Sequence, residues 1–208
     1  MISVLIADDH PVVRIGLKQM LGEVPDIAFI GEAASGVEVQ ERLKARNYDI
    51  IFLDISMPGN GMEILKDLKK FNPRQKVLMM SIYPEHQYAV RALKAGADGY
   101  LNKDSAPDEL VNALYKIVSG HKYVSPSLAE KLVNELKPES RPLHNDLSDR
   151  EYQVLCMVAE GKSSTEIARA MSLSVKTVST YRSRMLRKLS LENTAEAVRY
   201  AVEAGICL

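Results

Sequence analysis

Along the first 120 residues, short apolar runs alternate with longer stretches of mixed polarity. The apolar runs, rich in β-branched and aromatic side chains, fall at 3–7, 28–32, 50–53, 77–80 and 99–101. They are apolar nearly throughout, as strands are when both faces of a sheet are covered. The intervening stretches, 11–22, 36–46, 62–71, 85–95 and 107–119, repeat their apolar positions at helical spacing. Five strand–helix units in series predict an α/β fold with a doubly wound, parallel, five-stranded sheet.

The alternation stops near residue 120. Residues 121–126 are loop-like, 127–136 could form a short helix, and Pro138 and Pro142 prevent a continuous helix between them. From residue 147 no strand pattern returns. Helices are predicted at 149–160, 164–171, 175–189 and 194–204, with Gly161 stopping the first. Ser148 with Glu151, and Ser163 with Glu166, have the spacing of capping boxes. The expected organisation is an α/β domain at 1–120, a linker with a short helix at 121–146, and a small all-α domain at 147–208.

Composition narrows the class without naming a function. Hydrophobic content of 46% and charged content of 26% are ordinary for a water-soluble chain. No apolar run approaches the ~20 residues of a membrane helix, and residues 1–7 lack the basic flank of a signal peptide. Cys156 and Cys207 form no C-x-x-C and suit a reducing cytoplasm. His10, His86, His121 and His144 are scattered, with no metal spacing. The net charge of zero conceals a local excess: residues 176–188 hold Lys176, Arg182, Arg184, Arg187 and Lys188 and no acid. Such a stripe fits either a nucleic-acid contact or a solvated helix face.

The run Ile50–Leu53 ends abruptly on Asp54. Desolvating a lone carboxylate costs several kcal/mol, so Asp54 either begins a solvated loop or faces a partner. In a parallel sheet the strand C-termini share one edge, where ligands bind. That edge should collect Asp8 and Asp9, Asp54, Ser81 and Lys103. Any one of them could be a polar loop residue; all five together make that reading improbable. Clustered carboxylates repel unless a cation is present, and an all-oxygen site suits Mg²⁺. An aspartate so placed can attack a phosphoryl group and form an acyl phosphate. A lysine and a hydroxyl would then receive the phosphoryl oxygens.

The strings "VLIADDH", "FLDISMPG", "MMSIY" and "GADGYLNKD", in this order, resemble the receiver domain of two-component response regulators, a flavodoxin-like fold. The resemblance covers residues 1–120. It implies Asp54 as phosphoacceptor, Asp9 as a direct Mg²⁺ ligand, Asp8 as a water-mediated one, and the Ser56 carbonyl as a further ligand. It also implies Ser81 and Tyr100 as switch residues, Tyr100 turning inward on phosphorylation, and Lys103 as the phosphate contact. Three positions depart from the pattern. The loop Gly59-Asn60-Gly61-Met62 is one residue short, Asp104 replaces the usual proline after Lys103, and Ile82 replaces a small residue. Ile82 and Tyr83 are expected beside the path of an attacking water, slowing loss of the phosphate.

At 100° per residue, the helix within 173–191 places Val175, Val178, Met185, Leu186 and Leu189 on one side. Lys176, Thr180, Ser183, Arg184 and Arg187 fall opposite, small hydroxyls flanked by cations, as suits a major groove. Arg182 falls in the apolar sector, where a buried stem with its head paired to an acid is expected. A short helix and turn precede, making a helix-turn-helix, although an ordinary bundle with a basic side has the same pattern. The string "LSDREYQVLCMVAEGKSSTEIARAMSLSVKTVSTYRSRMLRKL" resembles the LuxR-type helix-turn-helix. That resemblance implies Ser179, Thr180 and Ser183 near bases, and Lys176, Thr177, Tyr181 and Arg187 near phosphates. It also implies dimerisation through Ala197, Val198, Ala201 and Val202.

The pairing of the two domains resembles the NarL/FixJ subfamily. It implies a transcription factor, not an enzyme beyond its own phosphotransfer, switched at Asp54. Its implied partners are a sensor histidine kinase, double-stranded DNA and a second copy of the chain, with RNA polymerase a further candidate and no membrane. Two other readings remain on the residues alone. One is a Mg²⁺-dependent aspartyl phosphatase, which would want an acid where Ser56 stands. The other is a transcription factor whose receiver is never phosphorylated.

Overall fold

The computed structural model describes residues 1–105, 107–125, 128–129 and 142–206. Most of the short helix expected over 127–136, Pro138 and Cys207 lie outside them. The chain divides into two compact units, Met1–Glu130 and Lys131–Leu208.

The first unit alternates β1 (Ile2–Ala7), α1 (Pro11–Gly22), β2 (Ile27–Ala33), α2 (Gly36–Ala45) and β3 (Ile50–Asp54). It continues with α3 (Gly61–Phe71), β4 (Lys76–Ser81), α4 (Glu85–Lys94), β5 (Gly99–Asn102) and α5 (Pro107–Val118). The strands form one parallel sheet in the order β2-β1-β3-β4-β5. The expected strands and helices are all present, with ends shifted by a residue or so, as fraying ends allow.

Burial follows position in the sheet. Every residue of β3, the central strand, is buried, whereas β2 at the edge leaves Ala28 and Phe29 exposed. On one face Val4, Ile6, Ile50, Phe52 and Leu78 pack against Leu17 and Leu21 of α1 and Leu110, Leu114 and Ile117 of α5. The register then places the strand ends level. Ala7 lies opposite Leu53, Leu53 opposite Met79, and Met79 opposite Tyr100. The next residue along β1 and β3 is therefore Asp8 and Asp54, at one edge.

The segment after α5 stays on the sheet. Tyr123 bridges Gly99 in parallel fashion, and its amide donates to the Asp98 carbonyl at 2.9 Å. Lys122 reaches Asp98 at 3.0 Å, and the Ser125 hydroxyl donates to Glu85 of α4 at 2.5 Å. Asp98 also meets Lys69 at 2.7 Å. Burial alone would raise the Asp98 pKa, but the bonds from Lys69, the Val77 amide and Lys122 hold it below the usual range.

The second unit holds a 3-10 turn (Leu143–Asp146), α6 (Asp149–Ala159), α7 (Ser164–Ala170), α8 (Val175–Lys188) and α9 (Thr194–Glu203). Both expected capping boxes are formed, Ser148 with Glu151 and Ser163 with Glu166. Gly161, at φ 80°, takes the left-handed conformation just past α6. The backbone amide and ring of His144 in the turn meet the Tyr200 hydroxyl of α9 at 3.1 and 3.0 Å. Cys156 is buried in α6.

Two packing expectations are corrected here. Ala197 and Ala201 are fully buried, because α9 closes this small core against α6. They cannot face a second copy; on the outer side Val198 is half-buried and Val202 exposed. Val175, placed on the packed face by its angle, is also exposed, because the helix has only just begun there. Among the described residues, no helix is long and apolar enough to cross a membrane.

Candidate functional site

Asp54 and Asp8 are both 2% exposed, and between them sits the Lys103 ammonium. Lys103 Nζ lies 2.5 Å from Asp8 Oδ2 and 2.9 Å from Asp54 Oδ1. The backbone brings it there: the Lys103 amide donates to the Ser81 carbonyl at 2.8 Å, continuing the β4–β5 pairing past its end. Asp54 Oδ2 is buried with no hydrogen-bond partner. Burial raises the Asp54 pKa, and nearby Asp8 adds to the rise. Lys103 and the Ser56 amide oppose it. Burial would lower the Lys103 pKa, but the charges and bonds of Asp54 and Asp8 outweigh it, leaving that pKa raised.

The loop after β3 is shaped around Asp54. Gly59 and Asn60 both have positive φ, at 97° and 63°. A Cβ on Gly61 would lie 2.0 Å from the Asp54 carbonyl oxygen, so only glycine fits. Asn60 caps α3, its side-chain oxygen accepting from the Met62 amide at 3.2 Å. The shortened loop thus turns tightly. Ser56 follows Asp54 in it, its amide toward the carboxylate.

Ser81 is fully buried and its hydroxyl accepts from the Tyr83 amide at 3.0 Å. Tyr100 is buried too, its hydroxyl donating to the Tyr83 carbonyl at 2.8 Å. Ser81 and Tyr100 thus meet at the backbone of Tyr83. The Tyr83 ring packs on Tyr88 of α4 with centroids 5.1 Å apart, while Ile82 is exposed. No peptide bond among the described residues is cis, Lys103–Asp104 included.

One member of the cluster escaped the sequence reading. His10 Nδ1 lies 2.9 Å from Asp9 Oδ1 and 3.2 Å from Asp8 Oδ1. One ligand atom from each of Asp8, Asp9, His10 and Asp54 falls within 4.8 Å of the others. Spacing between histidines does not reveal it; the signal in the sequence is a histidine directly after two aspartates at a strand end.

In the second unit α8 presents its polar side as expected. Lys176, Thr180, Ser183, Arg184 and Arg187 are exposed, with Thr177, Ser179 and Tyr181 half-buried. Val178, Met185 and Leu189 are buried beneath. The Thr180 and Ser183 hydroxyls donate to the Lys176 and Ser179 carbonyls one turn back, at 3.1 and 3.0 Å. That commits their hydrogens and leaves outward lone pairs. Ser174 caps the helix, accepting from the Thr177 amide at 3.0 Å.

Two cations of the stripe serve the fold instead. Lys188 binds Glu151 at 2.7 Å and the Asp146 carbonyl at 3.2 Å. The Arg182 guanidinium donates to the Ser164 hydroxyl at 3.1 Å. Arg182 was expected to meet an acid, and α7 supplies this hydroxyl at its first residue.

Comparison with known proteins agrees with both halves. The response regulator receiver domain family matches residues 4–115, and the family of bacterial regulatory proteins of the luxR type matches 145–201. Response regulator UvrY of Escherichia coli K12 is 33% identical over 100% of this chain and 96% of its own. The nitrate/nitrite response regulator protein NarL of the same strain is 35% identical over 94% and 92%. Among solved structures, RcsB from Salmonella enterica serovar Typhimurium, bound to promoter rprA with the phosphomimetic BeF3-, superposes with TM-score 0.66. It is 28% identical, covering 96% of this chain and 97% of RcsB. With a receiver sheet carrying its acidic edge and a LuxR-type helix-turn-helix following it in sequence, the chain belongs to the NarL/FixJ response regulators and is a transcription factor of the two-component systems.

Proposed function

We propose that Asp54 accepts a phosphoryl group from a sensor histidine kinase and that this sets the affinity of the second unit for DNA. The observation that carries the reading is Asp54 Oδ2, buried and without a partner beside a lysine already shared with Asp8. Three carboxylates facing one ammonium suit a divalent cation, so Asp8, Asp9, Asp54 and the Ser56 carbonyl would hold Mg²⁺. When bound, that ion would neutralise charge on the transferring oxygens. Lys103 stays within reach of a phosphoryl oxygen, and the Asp54 carboxylate supplies the nucleophile. Afterwards the Ser81 hydroxyl can leave the Tyr83 amide for a phosphoryl oxygen, coupling Asp54 to α4. Ser81 and Tyr100, which meet at Tyr83, act as the switch pair.

On this reading residues 1–120 form the receiver, 121–146 the linker and 147–208 the DNA-binding domain. Ser179, Thr180 and Ser183 approach base edges, while Lys176, Thr177, Tyr181, Arg184 and Arg187 line phosphates. The protein works in the cytoplasm as a homodimer, has no catalytic turnover beyond its own phosphotransfer, and meets RNA polymerase at its promoters. The RcsB complexes with DNA, one of them described as two dimers on parallel DNAs, support dimeric binding.

The test treats the full chain and Asp54→Asn with a small-molecule phosphodonor and Mg²⁺, then measures affinity for one operator. Wild type should tighten by roughly 5–150-fold, the usual span of allosteric coupling, and the variant should not. A second reading, regulation without phosphorylation, keeps both domains and dispenses with the phosphoryl step. It would be preferred if both proteins bound equally tightly before and after treatment.

A further inference from the structure

The segment that follows α5 is fastened to the first residue of α4. Ser125 Oγ donates to Glu85 Oε2 at 2.5 Å and accepts from the Leu128 amide at 3.1 Å. The Ser125 carbonyl accepts from the Ala129 amide at 3.0 Å. Ser125 therefore caps the helical turn that holds Leu128 and Ala129, and Leu128 is buried. A hydroxyl has one hydrogen and two acceptor lone pairs. Giving its hydrogen to Glu85 turns the Ser125 lone pairs to the Leu128 amide, and a bond to a charged carboxylate is the strong kind. Glu85 thus sets the cap.

Glu85 stands two residues beyond Tyr83, whose amide donates to Ser81 and whose carbonyl accepts from Tyr100. Pro84 lies between them with φ −55°. Its ring locks that angle, so a shift of the Tyr83 backbone is passed on to Glu85 with little lost on the way. The Pro84 position supplies no side-chain cap to α4, and the helix start lacks that restraint against such a shift. Charge places the same helix start beside the returning chain. Burial raises the Tyr123 pKa, and the carboxylates of Glu109 and Glu85 add to the rise.

We propose that the Glu85–Ser125 bond is a latch, closed while Asp54 is unmodified and opened when Ser81 leaves the Tyr83 amide. Loss of the Ser125 cap would then be the event handed to the chain that leads on to the second unit. The inference rests on the proposed roles of Asp54 and Ser81. A closed latch favours the state of weaker DNA affinity. By linkage, removing it raises affinity without phosphate and shrinks by the same factor what phosphorylation adds. A bond that only staples the fold would change stability and leave DNA affinity alone.

The experiment compares the full chain with Glu85→Ala, Ser125→Ala, the double variant and Ser125→Thr, which keeps the hydroxyl. Circular dichroism checks that each folds. Exchange of the Leu128 and Ala129 amides, read by nuclear magnetic resonance, and affinity for one operator are measured before and after phosphodonor and Mg²⁺. In wild type the two amides should exchange faster after treatment, and in Asp54→Asn they should not. Untreated, each alanine variant should exchange them faster and bind the operator more tightly, on the order of 10-fold. The double variant should do no more than either single one, and Ser125→Thr should behave as wild type. Alanine variants that bind the untreated operator as wild type does overturn the latch. So does a wild type that tightens on DNA while the two amides keep their rate, and that result leaves the role of Asp54 intact. A wild type whose DNA affinity ignores the phosphodonor overturns the reading of Asp54 and the latch together.

Discussion

Lys103 in the first unit and Arg187 in the second carry the same charge in opposite surroundings. Lys103 has 8% of its side chain exposed and touches two buried carboxylates, while Arg187 is exposed on α8. Two unit charges 4 Å apart interact by about 1 kcal/mol in water and about 4 kcal/mol at the effective dielectric of a protein surface. A single phosphoryl group added beside Lys103 is therefore felt strongly by its neighbours. On the proposed function, the cations on α8 would act as a sum over many phosphates, each screened by salt. On that reading one region would respond to a single event, the other to a polymer.

Substitutions at individual cations and carboxylates test that contrast. The largest effect is expected of Lys103→Met, which leaves Asp8 and Asp54 buried without their cation. Breaking a buried pair in this way costs about 3–5 kcal/mol, read as a lower urea midpoint for the first unit. Adding Asp54→Asn should recover part of the loss. An unchanged midpoint would mean the lysine is not compensating buried charge.

Lys188 tests the boundary between the two kinds of cation. Although it belongs to the basic run, it binds Glu151, whose pKa burial would raise but which Lys188 and the Ser148 bonds hold down. Lys188→Met should cost roughly 1–3 kcal/mol of stability and leave the salt dependence of DNA binding alone. A shallower salt slope would return Lys188 to the DNA-facing set.

Asp54→Asn should have a pH-dependent effect of its own. Because the folded pKa of Asp54 is raised, its contribution to stability is complete below the unfolded pKa and is lost as pH rises through the folded one. Asp98 and Glu151, with lowered values, contribute above the unfolded pKa and lose that contribution as pH falls. The variant should thus gain on wild type between acid and neutral pH in paired denaturation curves. A gap independent of pH would contradict the raised value. Smallest of all, Lys176→Ala should flatten the slope of log affinity against log salt by about 0.9, equally for all duplexes. Thr180→Ala should instead alter which duplex is preferred.

Much of this was legible because the strands are buried on both faces. Ile50–Leu53 reads as a strand at once, and a carboxylate at its end stands out. The edge strand was less legible: Phe29 is exposed, so apolarity there did not mean burial. The place of His10 was not legible because it depends on the ring turning back over Asp8 and Asp9, which is rotamer geometry. Ala197 and Ala201 were misplaced for a related reason. Small apolar residues on a terminal helix look alike whether they face a partner or their own core, and only the contact with α6 decides. Arg182 was placed correctly by angle, but its hydroxyl partner lies 18 residues away, beyond any helical spacing.

The Tyr123–Gly99 bridge has a consequence for how the first unit can be cut. β5 is the last strand of the sheet, and its outer side is capped at Gly99 by the chain's own return. Unpaired strand edges recruit other strands. A receiver ending at residue 119 would lose Lys122, Tyr123 and Ser125 together, baring that edge and taking Lys122 from Asp98 and the Ser125 hydroxyl from Glu85. Ending at residue 125 keeps all three, so the shorter fragment should self-associate where the longer one stays monomeric in the absence of phosphodonor.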